Sequence, residues 1–228
     1  MSITINLKSQ FIDVDVDIPT EWSDMTVEYW VGLASILSKN QSNSKLKNDY
    51  IIEKYEEDNR LDEILKDATF FDELKLNKEL FSYATGLTNE QVMDIDTNKV
   101  TEVINLLGVL TEEYKPLGIR SFEFDGEEYF FPSDNLSKST YGDFIESTQL
   151  EMTENSMKNG RFDVLPEQMA ILCRREGEDY DEDLIAEKAE KFKKLKMDSV
   201  FEFAFFLTNQ SRVLLNLFNM YSEKNLKE

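Results

Sequence analysis

Aspartates at every second position, Asp13, Asp15 and Asp17 in the stretch FIDVDVDIPTEWSD, come nearer to a metal-ligand spacing than any other residues of the chain. A calcium loop of the EF-hand kind takes oxygen ligands at positions 1, 3 and 5. It also needs a glycine at 6, where the backbone turns sharply, and a bidentate glutamate at 12. Counted from Asp13, position 6 is Ile18, followed by Pro19, and position 12 is Asp24, one methylene too short. Val14 and Val16 separate the aspartates, with Ile12 and Ile18 on either side. Strict alternation of β-branched residues with acids is the period-2 pattern of a half-buried strand. On a pleated strand the three carboxylates face solvent and the valines face the core. The stretch is expected to be a strand with a wet face.

Other chemistry is thinly represented. The chain has no histidine, which removes the commonest general base and the usual zinc or iron ligand. A Ser–His–Asp triad or a Cys–His pair therefore cannot be built. Its one cysteine, Cys173, rules out an internal disulfide, and its place in the apolar run MAILC predicts a buried, inert thiol. Glycine-rich phosphate loops, CxxC and HExxH are absent. Two further acidic runs, EKYEEDN at 53–59 and EGEDYDED at 176–183, could in principle converge on a cation. The second is more simply a solvated loop leading to a helix N-cap at Asp183. Carboxylate-only hydrolysis stays formally open. No catalytic, cofactor-binding or metal-ligating residue is nominated, no cofactor is expected, and the expectation is a protein that is not an enzyme.

The whole chain must then supply the reason for these acids. It has 228 residues, 46 acids against 25 bases, and a formal charge of −21. Such a surface repels nucleic-acid phosphates and anionic membranes and favours basic partners. With 41% hydrophobic residues and 16 Phe, it can fill a substantial core. The opening MSITINLKSQ alternates without an apolar signal-peptide region, and VFEFAFFL at 200–207 is too short to span a bilayer. A soluble protein is expected.

The predicted elements make an α+β fold, mostly helical. A β-hairpin is expected over about 3–18, ended by Pro19. Val27, Trp30, Val31, Ala34 and Leu37 have helical spacing, and a polar break is expected at NQSNSKLKN. A second helix is expected from Asp49 to Leu65, with Ile51, Ile52, Tyr55, Leu61, Ile64 and Leu65 as its apolar set. Gly86 suits a helix C-terminus, and Thr88 with Gln91 forms a capping box for a short helix. Val100, Val103, Ile104 and Leu107 mark another. The clearest hairpin is SFEFDGEEYFF at 121–131, where Asp125-Gly126 suits a type I′ turn; its aromatics are expected in a core. Tyr141, Phe144, Ile145 and Thr148 share a helical face. Helices are also expected at 166–175, opened by Pro166, at about 182–195 and at about 198–220. The last, apolar nearly all round from Val200 to Phe206, is read as a buried helix or an interface. The halves 1–115 and 116–228 form two domains or one continuous domain.

The order of these pieces resembles small proteins of tailed bacteriophages labelled tail-assembly chaperones or minor virion proteins. Ile18, Pro19, Trp22, Asp24, Thr26 and Tyr29 carry the likeness at the start. Thr85, Gly86, Leu87, Glu90 and Val92 carry it in the middle. FEFDGEEYFF, TYGDFIE, and Leu165, Ala170, Ile171, Leu172, Arg174 and Tyr180 follow in the expected order, the last group as a helix ending in a basic pair before an acidic loop. The resemblance implies a non-enzymatic role whose partners are other phage structural proteins, with a homo-oligomer or several copies per virion. It implies residence in the tail, neck or interior of the virion, and in host cytoplasm during assembly, as structural component, packaged and ejected cargo, or chaperone. Strong acidity and the Phe-rich last helix depart from chaperone-like members. Two alternatives stand beside it: an acidic DNA-mimic inhibitor of a host protein, and a metal-dependent hydrolase using carboxylates alone.

Overall fold

The computed structural model describes residues 2–55, 58–132, 147, 149–150 and 163–225. The fold is α+β and mostly helical, with two small antiparallel hairpins, and the chain divides into two compact units. Among the described residues no helix is long and apolar enough to cross a membrane.

The first unit comprises residues 1–25 and 29–112. Strand β1 (Ile3–Lys8) pairs antiparallel with β2 (Asp13–Ile18), Ile3 opposite Ile18 and Lys8 opposite Asp13. Alternation places Ile5, Leu7, Val16 and Ile18 in the core and leaves all three aspartates exposed. Val14 departs from the expected inward face. It stands opposite Leu7, which is fully buried, and lies 37% exposed at the rim of the hairpin.

Helices α1 (Val27–Tyr55) and α2 (Leu61–Thr85) follow. The expected polar break at 40–48 does not exist, nor does a helix from Asp49 to Leu65. α1 runs unbroken to Tyr55, and the chain turns around Asp58 and Arg60, where Asp58 caps the Arg60 N–H at 2.8 Å. Polar residues do not end α1 because α2 answers them with hydrogen bonds, described below. α2 ends on Gly86, whose φ of 70° is the left-handed conformation that glycine adopts without strain. Thr88 and Gln91 then form the expected capping box for α3 (Asn89–Val92). Asp96 caps α4 (Thr97–Leu106), which tightens into a 3₁₀ turn over Leu107–Thr111. Leu33, Leu80, Phe81, Val92, Ile95, Val103 and Leu107 join the hairpin's apolar face in one core.

The second unit comprises residues 26–28 and 113–228. Strands β3 (Ser121–Phe124) and β4 (Glu127–Phe130) are joined by Asp125 and Gly126, both at positive φ as a type I′ turn requires. Phe122 meets Tyr129 at 5.4 Å and Phe192 edge-on at 5.6 Å, and Phe131 meets Phe203 at 5.4 Å. Phe122 and Phe131 are core as expected, Phe124 and Tyr129 are half-buried, and Phe130 departs from the expectation at 40% exposed. Helices α5 (Leu165–Leu172), α6 (Glu182–Phe192) and α7 (Met197–Asn225) complete the unit.

Three boundaries shift. α5 stops at Leu172 because Arg174 pairs with Phe130 in a β-bridge, so the basic pair lies beyond the helix. Asp181, not Asp183, is the N-cap of α6, its carboxylate accepting the Asp183 N–H at 3.1 Å. Residues 26–28 belong here by contact: the Val27 N–H donates to Leu195 O and the Glu28 N–H to Lys193 O, each at 3.0 Å. Met197, Val200, Phe203, Phe206 and Leu207 are buried, so one face of α7 enters the core here, whereas Phe205 is 38% exposed. The face carrying Tyr141, Phe144, Ile145 and Thr148 lies outside the described residues.

Candidate interaction surface

Along α1, Leu33, Leu37, Asn40, Ser44, Lys47 and Ile51 alternate in steps of four and three. That is the 3.5-residue repeat by which one helix keeps a straight seam against another. The seam opens apolar at Leu33, turns polar in its middle, and ends at buried Ile51. Asn40 Nδ2 donates to Glu79 Oε2 at 2.8 Å and to Ile36 O at 3.0 Å. Ser44 Oγ donates to Asp72 Oδ2 at 3.0 Å, and Lys47 Nζ to Asp72 Oδ1 at 2.7 Å. Partners that fall in sequence as they rise along α1 make the pair antiparallel. The Lys47 hydrogen bond beside Asp72 holds that carboxyl below its usual range, against a smaller opposing effect of burial. The 4–3 spacing crosses the polar run without a slip, and it is the signal in the sequence that this run belongs inside a helix.

Each side of this helical pair has its own character. On one side lies a groove of about 330 Å³, lined among others by Leu37, Asn48, Thr69, Asp72, Glu73 and Leu76. Asn48 Oδ1 is sealed from solvent there and has no hydrogen-bond partner. A rotation of about 100° per residue puts the groove residues of both helices on one side of the seam, and Leu46, Tyr50, Phe71 and Leu74 on the other. Those four are 70, 59, 65 and 49% exposed. Phe70, 57% exposed, meets the Phe71 ring at 6.0 Å on the outer edge. The stripe continues a buried one: Phe81, Leu74, Phe71 and Ile64 follow in steps of seven, three and seven, and Phe81 is fully buried. Single exposed apolar residues are ordinary, whereas large exposed apolar patches are uncommon on a protein that acts alone. Of the apolar set expected over 49–65, Ile51 is buried whereas Ile52 is 45% exposed.

Of the acids that suggested chemistry, those of β2, Asp58 and Glu178 accept from donors of the protein. Asp13 and Asp15 accept from Asn6 Nδ2 at 3.2 and 2.8 Å, Asp17 accepts from Thr4 Oγ1 at 2.6 Å, and Lys8 lies 3.3 Å from Asp13. The Asn6 hydrogen bond, then Lys8, lowers the Asp13 carboxyl. In the 176–183 run, Glu178 is gripped by the Arg175 backbone N–H at 2.8 Å and by Lys188 Nζ at 2.8 Å. Among the described residues no group of three or more Asp, Glu or Cys is gathered as a metal ion would need. Cys173 is fully buried, and burial pushes its thiol well above the ordinary range.

Glu202 breaks the rule that carboxylates clothe the exterior. It is 3% exposed, on α7, in the middle of the run VFEFAFFL. Its oxygens accept from Tyr114 Oη at 2.8 Å and from the backbone N–H groups of Leu117, Gly118 and Ile119 at 2.5, 2.9 and 3.1 Å. Burial pushes its pKa up, but the four donors together outweigh burial and leave it lowered. The same burial, then Glu202 itself, pushes the Tyr114 phenol up. Glu202 is a strut that organises residues 114–119, and all of its acceptor capacity is spent inside the protein. One acid at an otherwise apolar helix position was the sequence signal for it.

No known family, curated protein or solved structure matches the chain.

Proposed function

We propose that this chain is a non-enzymatic protein of a tailed bacteriophage that works by binding other phage proteins. It serves as a tail or neck component, as cargo packaged and ejected with the genome, or as a tail-assembly chaperone. One observation carries the binding role: Leu46, Tyr50, Phe71 and Leu74, exposed together along the α1–α2 pair. Nothing in the core of the first unit requires those side chains to be apolar, and exposure gives them a free-energy cost that a partner's surface would remove. The phage assignment rests on the order of sequence segments given above.

The test is mass spectrometry of purified particles and of complexes isolated with the tagged chain from infected cells. Phage structural proteins are expected in the complexes, and Tyr50→Asp with Phe71→Asp should release them while leaving the fold intact by circular dichroism. Presence in mature particles selects component or cargo; absence selects the chaperone. Recovery of a host DNA-binding protein in place of phage proteins would overturn the reading in favour of an acidic DNA mimic.

A further inference from the structure

Lysines ring the exposed apolar stripe of the α1–α2 pair, in a chain where acids outnumber bases 46 to 25. Tyr50, Phe71 and Leu74 are each followed four residues on by a lysine: Lys54, Lys75 and Lys78. Residues four apart are neighbours on one face of a helix. Lys39 stands on that face too, seven residues before Leu46. Acids reach the stripe at Asp67, four residues before Phe71, and along its outer edge at Asp49 and Glu53. Among the described residues no carboxylate pairs with Lys39, Lys54 or Lys78, and Lys75 meets Glu79 only at 3.9 Å in an exposed pair of little worth. Lys54 Nζ lies over the Tyr50 and Tyr55 rings at 5.6 and 5.3 Å, which holds an unneutralised cation beside the stripe. Apolar side chains interleaved with such cations are complementary to apolar side chains interleaved with acids. The whole chain favours basic partners, and this one face reverses the preference. Range decides which anion fits. The lysines act over about 8 Å at physiological salt, so a short segment lying on the stripe meets them almost alone. An extended anionic surface, a membrane or a nucleic-acid duplex, also meets the acids around it. We infer that this face docks a short acidic segment of the partner protein, its apolar side chains covering Tyr50, Phe71 and Leu74 and its carboxylates pairing with Lys54, Lys75 and Lys78. This deepens the proposed binding role and rests on it.

The probe is a fluorescently labelled peptide of glutamate, leucine and phenylalanine, with two twins: lysine in place of glutamate, and serine in place of leucine and phenylalanine. Each is titrated into the full-length chain and read by fluorescence anisotropy. The acidic apolar peptide should bind at least tenfold more tightly than either twin. Lys54→Glu with Lys75→Glu should weaken it tenfold or more, with the fold intact by circular dichroism. Lys193→Glu with Lys194→Glu, an equal charge change at exposed positions of the second unit, should alter it less than twofold. Equal losses in the two double variants would show a diffuse effect of net charge and overturn the inference. So would tighter binding to phosphatidylserine vesicles or to duplex DNA than to the peptide, abolished by the Lys54 and Lys75 changes. Capture of phage proteins by a chain that does not prefer the acidic peptide sinks this inference alone. Preference for the peptide without any such capture sinks the phage reading and leaves the acidic-segment site standing.

Discussion

Replacing Glu202 by glutamine changes one oxygen to an amide nitrogen and leaves the outline of the side chain intact. Oε1 serves Tyr114 and Leu117, and Oε2 serves Gly118 and Ile119. The amide oxygen can keep the Gly118 and Ile119 N–H groups; its NH₂ then confronts the Leu117 N–H donor to donor, while the Tyr114 hydroxyl can turn to accept from it. One charge-assisted hydrogen bond, worth about 1.5–3 kcal/mol net, is lost outright and the other three lose their charge assistance. Leu117 is itself 78% exposed, so water can reach part of the deserted backbone and reduce the loss. The expected cost is about 2–4 kcal/mol, within the order found when one partner of a buried charged network is removed. For a unit of this size that lowers Tm by about 10 °C.

The assay is urea denaturation and calorimetry of Glu202→Gln against wild type, with the transition of the second unit followed separately from that of the first. A pH series adds a sign. Because the folded pKa lies below the ordinary 4.5, the carboxylate's contribution is fully present above about that value and is lost as pH falls through the lower folded pKa. The gap between wild type and variant should therefore be constant near neutrality and close in acid. A variant within about 0.5 kcal/mol of wild type at pH 7, or a gap that widens in acid, would refute the strut.

Three further outcomes are expected. A Cβ at Gly32 would come within 1.9 Å of Tyr83 Oη, so Gly32→Ala should destabilise the first unit by about 1–2 kcal/mol in denaturation. In a Tyr83→Ala background the same change should stabilise by up to about 1 kcal/mol, through helix propensity alone. Thr88→Ala removes the oxygen that accepts the Gln91 N–H at 3.3 Å and should cost about 1 kcal/mol, read as an earlier urea midpoint. Cys173 should resist iodoacetamide at pH 8 in the native chain and react within minutes in 6 M guanidinium, as mass spectrometry of the intact protein would show.

Legibility in the sequence followed locality. Both hairpins were readable because their signals sit within a few residues: alternation from Ile12 to Ile18, and Asp125-Gly126 between aromatic runs. Thr88–Gln91 and Gly86 were readable for the same reason. The α1–α2 pair was misread because the fate of Asn40, Ser44 and Lys47 depends on Glu79 and Asp72, more than twenty residues away. Local propensity counts those residues as helix breakers or solvent-facing, and a tertiary hydrogen bond overrides it. Glu202 was hidden in the same way, its donors lying on residues 114–119. The exposure of Tyr50 and Phe71 was invisible because apolar spacing marks a stripe without saying what covers it.

The assignment of residues 26–28 to the second unit bears on how the chain is made. Everything else the first unit needs has left the ribosome once residue 112 is out, but the N–H groups of Val27 and Glu28 meet Leu195 O and Lys193 O only late in synthesis. Nascent α1 must therefore wait with its entry turn uncapped by those carbonyls, and a fragment cut at 112 would carry that frayed end permanently. A single proteolytic nick between the units would leave two pieces that still hold each other's thread.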